Sequence, residues 1–232
     1  MPRDTPPSGD LRSSRAEKHM GIAGDARPVS KGSALARLKQ STRQAAKEVQ
    51  IFFRAQRPGP KVFCIGFNKT GTTSLGEALK ILGYDHSSFN RRVWEDYYLK
   101  GRMDKVLEYT RKFASFDDLP WLKEDMIPLL DQSFPGSKYI YLERDEVSWK
   151  KSLAGWGKVT FGKEVDVDLG WQEYLRHRQF VLDYFGNRSP KEFLVLNVRD
   201  PAGFRKLAEF LGKAAPQDAL PHSNRTDELQ AL

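Results

Sequence analysis

The stretch Gly66-Phe67-Asn68-Lys69-Thr70-Gly71-Thr72-Thr73-Ser74-Leu75 concentrates hydrogen-bond donors that have little packing value. Gly66 and Gly71 carry the G-x-x-x-x-G spacing of a phosphate-binding loop. Glycines let a backbone curl so that its N–H groups converge, and a helix starting behind such a loop adds partial positive charge. The chemistry implied is the holding of a phosphate or a related anion. One position departs from the loop of nucleoside triphosphatases. The residue after the second glycine is Thr72, and the lysine lies inside the loop as Lys69. Metal-assisted γ-phosphoryl transfer thereby loses its expected lysine. The plainer alternative is a glycine turn joining a strand to a helix.

The elements that must position this loop follow from the pattern around it. Val62–Gly66 is a short continuous apolar run, expected of a strand buried on both faces. A helix is predicted over 72–82, leading to a short strand near His86. Residues 91–112 read as helical with an aromatic-rich face, 113–116 as a strand and 121–133 as a helix. Lys138–Leu142 is a second strong strand, followed by helices over 145–155 and 168–186. Phe193–Val198 is a third, and a closing helix spans 201–212, ending at Gly212. The alternation predicts an α/β fold: a three-layer, P-loop-type parallel sheet of about five strands with helices on both faces. Pro58-Gly59-Pro60 marks a boundary, so the domain is expected over 58–232. Residues 1–32, rich in Pro, Gly, Ser and Arg, are expected to be a disordered basic tail. Over 33–57 an amphipathic helix and linker are expected, with Ser33 as N-cap and an apolar stripe of Leu35, Leu38, Thr42, Ala45, Val49 and Phe52.

The segment from Phe63 to Leu75 resembles the 5′-phosphosulfate loop of the P-loop sulfotransferases, which use 3′-phosphoadenosine-5′-phosphosulfate as sulfonate donor. The resemblance implies that Lys69 approaches the bridging and sulfonate oxygens. It also implies that Asn68, Thr70, Gly71, Thr72, Thr73 and Ser74 belong to the donor site around the 5′-phosphate. A second segment supports it. Arg144 follows the strand 138–142 and Ser152 comes eight residues later, the family's Arg-x₇-Ser pattern for the 3′-phosphate. A guanidinium fork suits a terminal phosphate, and a hydroxyl on the next helix completes the cradle. Asp118-Leu119-Pro120, Trp149 and the Leu220-Pro-His-Ser-Asn-Arg225 segment are similar to one branch of the family, so the resemblance spans roughly 60–226. A transferring sulfonate carries less negative charge than a phosphoryl group, and a lysine with backbone donors can stabilise it; no metal is expected to be required.

Sulfonation of an alcohol needs a base beside the acceptor oxygen. In the cytosolic members a His-x-Pro after the third strand carries it, and Asp118 stands at that place here. Asp118 is therefore the expected base, a helix-capping role is its alternative, and Asp117 and His86 are the reserve. Of the other histidines, His19 lies in the tail, His222 in the C-terminal segment, and His177 mid-helix, where a solvated role is expected. Acceptor contacts are expected from 84–112 and 155–175, whose aromatic residues suit a small-molecule or carbohydrate acceptor or else simple packing.

Composition bounds the remaining classes. The chain has 232 residues and a net charge of +8. Residues 1–57 hold twelve Lys/Arg and five Asp/Glu, so the excess is N-terminal and the rest nearly neutral. Nucleic acid is therefore not expected as a partner. The 33–56 stripe packs on the domain, on a second copy as a homodimer, or on an anionic membrane surface as a peripheral contact. The single cysteine, Cys64, excludes an internal disulfide and a multi-cysteine metal site. No apolar run reaches the ~18 residues of a membrane span, and the N-terminus lacks a secretory pattern. A cytoplasmic protein is expected. A P-loop small-molecule kinase, with Asp200 after a strand, and a catalytically inactive nucleotide-binding protein stay open as alternatives.

Overall fold

The apolar runs become the parallel strands they suggest. In a computed structural model that describes residues 59–221, they are β1 (Val62–Cys64), β2 (His86–Ser87), β3 (Ser115–Phe116), β4 (Lys138–Glu143) and β5 (Phe193–Asn197). The sheet order is β2-β3-β1-β4-β5 and every pairing is parallel. Val62 of β1 aligns with Ser115 on one side and Lys138 on the other, and Tyr139 of β4 aligns with Phe193. The helices are α1 (Thr72–Ile81), α2 (Met103–Thr110), α3 (Met126–Ser133), α4 (Glu146–Phe161), α5 (Val167–Phe185) and α6 (Gly203–Leu211), with a π-helix over Val93–Tyr98.

Alternation along β1 sorts the core into two faces, because successive side chains of a strand point to opposite sides. Val62 and Cys64 join Leu75, Ala78 and Leu79 of α1 and Phe204, Leu207 and Ala208 of α6 in a mostly aliphatic layer. Phe63 and Ile65 join Phe116, Trp121, Tyr139, Val181 and Phe185 in a largely aromatic layer. The three-layer α/β architecture is thus as expected. Three helix readings are corrected. The 91–112 helix is interrupted, with Gly101 at φ 68° between the π-helix and α2. The 121–133 helix starts only at Met126, since Trp121 and Leu122 are buried from a non-helical turn. The 145–155 helix runs on to Phe161, where Gly162 at φ 64° caps it.

Among the described residues no helix is long and apolar enough to cross a membrane. The tail 1–32, the helix and linker 33–57, His19, His222 and the end of the Pro-His-x-Asn segment lie outside the described residues.

Candidate active site

In an open parallel sheet, ligands bind beyond the carboxyl ends of the strands where connections diverge to the two sides. Here that point is β1, flanked by β3 and β4. The loop Gly66–Ser74 leaves β1, Asp117 and Asp118 leave β3, Arg144 leaves β4 and Arg199 leaves β5. The topology therefore gathers at one edge residues spread over more than a hundred positions.

The loop's carbonyls are held from behind. His177 Nε2 donates to the Ile65 carbonyl at 2.8 Å, and Thr70 Oγ1 donates to that of Phe67 at 2.6 Å. Trp149 Nε1 donates to Asn68 at 2.7 Å, and Arg144 Nη1 to Lys69 at 2.7 Å. Phe67 packs against Trp149, Tyr174 and His177, and the Tyr174 hydroxyl accepts the Arg144 backbone N–H. Satisfying the carbonyls on this side leaves the loop's other face for a guest. The two glycines do different work. A Cβ on Gly66 would lie 2.8 Å from the Leu142 Cβ, so its role is close approach to β4. Gly71, at φ 105°, is the N-cap of α1, which has no side-chain cap, and a Cβ there would lie 2.7 Å from both methyls of Val198.

Lys69 and Asp118 are the only two non-glycine residues with positive φ among the described residues, at 68° and 66°. Asp118 Oδ1 accepts the Leu119 N–H at 2.7 Å. Burial raises the Asp118 carboxyl above its ordinary value; the Leu119 N–H and Lys69 pull it back down, while Asp117 adds to the rise. Burial lowers the Lys69 ammonium, Arg144 lowers it further, and Asp118 opposes both. Lysine and aspartate thus feel each other's charge. The Lys69 ammonium also lies 5.3 Å from the centroid of the Trp156 ring, which meets Phe161 edge-on.

Asp118 caps no helix, since α3 begins at Met126 behind Asp125. Asp117 and His86 form a buried pair, Nε2 to Oδ1 at 3.4 Å, with His86 Nδ1 2.9 Å from Ser115 Oγ. Both side chains are 1% exposed and lie under Gly76, where a Cβ would stand 2.6 Å from His86 Nε2. A base must touch its acceptor, and the side chains of Asp117 and His86 are closed off from one, whereas Asp118 is only partly buried. Arg144 Nε pairs with Ser148 Oγ at 3.0 Å, while Ser152, partly exposed, stands one turn further along α4.

Sequence reasoning missed the support behind the loop. His177 is buried instead of solvated, and burial lowers its imidazole pKa while the Ile65 carbonyl opposes that. Tyr174, His177, Val181 and Phe185 are the buried residues of α5, a three- and four-residue spacing that places His177 on the inner face. Among the described residues no group of three or more His, Cys, Asp or Glu side chains is placed to hold a metal ion.

A family model described as a sulfotransferase domain matches residues 61–171 and 155–229. Comparison with curated proteins gives no match. Among solved structures, the chain is similar to a sulfotransferase from Alicyclobacillus acidocaldarius, at 18% identity and TM-score 0.46 over 74% of this chain and 88% of that one. It is also similar to a gluconokinase from Sinorhizobium meliloti 1021, at 16% identity and TM-score 0.43 over 68% and 98%.

Proposed function

The chain belongs to the sulfotransferase domain family, and from that premise we propose that it moves a sulfonate group from 3′-phosphoadenosine-5′-phosphosulfate to a hydroxyl or amine of a small-molecule or carbohydrate acceptor. The observation that carries this reading is the opposition of Lys69 and Asp118, two residues held in left-handed backbone on neighbouring strand ends, each shifting the other's ionisation. Strained, mutually coupled groups of opposite charge are characteristic of reacting centres.

The residues fit such a donor. The N-cap of α1 is a glycine with no side-chain cap, and the helix dipole there favours an anion. Gly71, Thr72, Thr73 and Ser74 would hold the 5′-phosphate, with Asn68 and Thr70 shaping the turn. Arg144 and Ser152 lie on the side expected for the 3′-phosphate. When bound, the donor supplies an activated sulfonate on a phosphate leaving group. Lys69 neutralises negative charge developing on that leaving side, and its partial burial strengthens the effect. Asp118 takes the acceptor's proton, and the burial that raises its proton affinity makes it a better base than an exposed carboxylate. Most of the rate would come from positioning and charge stabilisation. A cytoplasmic setting accords with this reading.

Thermal unfolding with adenosine 3′,5′-bisphosphate, ADP and magnesium-ATP tests it. The bisphosphate at ~100 times its dissociation constant should add about 2.7 kcal/mol of stability. Preferential stabilisation by magnesium-ATP would contradict the reading and support a small-molecule kinase.

A further inference from the structure

Lys69 and Asp118 influence each other's ionisation, yet the ammonium makes no hydrogen bond to the carboxylate. Arg144 repels that ammonium and Asp118 attracts it, so the charges alone drive the lysine toward the acid. A closed ion pair would disable both groups. A carboxylate held by an ammonium loses proton affinity, and an ammonium so held is withdrawn from charge developing elsewhere.

The contact that competes with this pull is an aromatic face. The Lys69 ammonium lies 5.3 Å from the centroid of the Trp156 ring, inside the ~6 Å at which a ring face attracts a cation. Both ends of the contact are fixed from outside it. Lys69 has φ 68°, and its carbonyl accepts Arg144 Nη1 at 2.7 Å, which sets the direction in which its side chain leaves the loop. Trp156 follows Trp149 by two helical turns on α4, so the two indoles share one face. Trp149 turns that face to the same loop, donating to the Asn68 carbonyl at 2.7 Å. Phe161 meets the Trp156 ring edge-on with centroids 5.0 Å apart. Beside Trp156, a Cβ on Gly157 would lie 2.6 Å from Val165 Cγ1, so the chain after α4 folds back on the helix there. Asp118 has its own partner, the Leu119 N–H at 2.7 Å from Oδ1. The other charged group acting on it is Asp117, which favours its protonated form.

We propose that Trp156 is a positioning residue that holds the Lys69 ammonium on its ring face and apart from Asp118, so that the two meet the reactants as a separate cation and base. Its consequence for catalysis rests on the donor reading above. Its effect on the two ionisations rests on the contact alone.

Titration of the full chain by carbon-13 NMR tests it, following the Asp118 carboxyl and the Lys69 side chain in the wild type and in Trp156→Leu. Without the indole the two charges close on each other. The Asp118 midpoint should move to lower pH and the Lys69 midpoint to higher pH, the direction an ion pair imposes on each partner. Trp156→Phe keeps a smaller ring face and should shift both midpoints less. The pH profile of donor consumption by Trp156→Leu should widen at both limbs while its plateau falls about two- to thirtyfold, the range of a cation–π contact. Trp156 is partly exposed, so the fold should survive, which far-ultraviolet circular dichroism checks. Midpoints that stay at wild-type values, or move in the same direction, overturn the inference. A higher KM for the acceptor with unmoved midpoints would make Trp156 an acceptor contact and overturn it too. A wild-type chain that consumes no donor, with both midpoints shifting in the variant as expected, overturns the donor reading and leaves the ionisation effect standing.

Discussion

The loop after β1 and the turn after β3 end neighbouring strands and face one another, yet they are held in opposite ways. The loop has glycine at both ends, and its carbonyls are gripped from outside by Trp149 and Arg144 of the β4–α4 region and by His177 of α5. The turn has no glycine. Asp118 adopts φ 66° against the usual preference, satisfied by its own carboxylate, while Asp117 is buried against His86. A left-handed non-glycine residue costs roughly 1–2 kcal/mol. It persists at Lys69 and at Asp118 because distant helices fix the first and the buried packing of Asp117 against His86 fixes the second. The difference teaches that the cation's position depends on α4 and α5, and the acid's on the interior beneath α1.

The sharpest way to test the acid half is Asp118→Asn, which keeps shape and removes basicity. The rate of donor consumption with a panel of acceptors should fall by ~10²–10⁴ while bisphosphate affinity stays nearly constant. In the wild type, activity should be lost as pH falls through the raised pKa of Asp118, at a higher pH than for an ordinary carboxylate, and this acidic limb should vanish in the variant. An unchanged profile would assign the limb to another group. Lys69→Ala should reduce the rate by ~10²–10³, more than it weakens nucleotide binding, if the lysine acts on developing charge. The basic limb of the wild-type profile should sit below the usual lysine value, because burial lowers this ammonium and activity is lost once it deprotonates.

Smaller effects separate the two supports. Gly76→Ala pushes a methyl against His86 and Asp117 and should destabilise the fold by ~1–3 kcal/mol in denaturant titration. An unchanged midpoint would mean that the pair yields freely and does not anchor the turn. Trp149→Phe removes the Nε1–H bond to the Asn68 carbonyl together with part of a fully buried ring; it should cost roughly 1–3 kcal/mol and weaken nucleotide binding slightly. If nucleotide affinity and stability both stay at wild-type values, the loop does not depend on α4.

The comparison also marks what the sequence makes legible. The loop after β1 announces itself, because glycine spacing and clustered hydroxyls are local features behind an apolar strand. Asp118 required a resemblance, since nothing local shows that an acid before Leu-Pro will turn left-handed toward a lysine forty-nine residues earlier. Sequence alone suggests a solvated His177, because a histidine on a helix carries no sign of the carbonyl it will meet; its spacing from Tyr174 and Val181 is the hint of burial. Gly162 was a usable stop signal for α4, and apolar periodicity alone ended that helix too early. Trp121 and Leu122 look like the first turn of a helix, and they are buried from a turn instead. Pattern registers burial, and it does not by itself register backbone shape.

The central claim is that Lys69 and Asp118 form one reacting unit, and a double-mutant cycle on single-turnover donor consumption tests it most directly. If the two act on the same transition state, Lys69→Ala/Asp118→Asn should be little slower than the slower single variant, as for residues that work as a unit. Losses that simply add, with each single variant keeping its full effect in the presence of the other, would contradict the account.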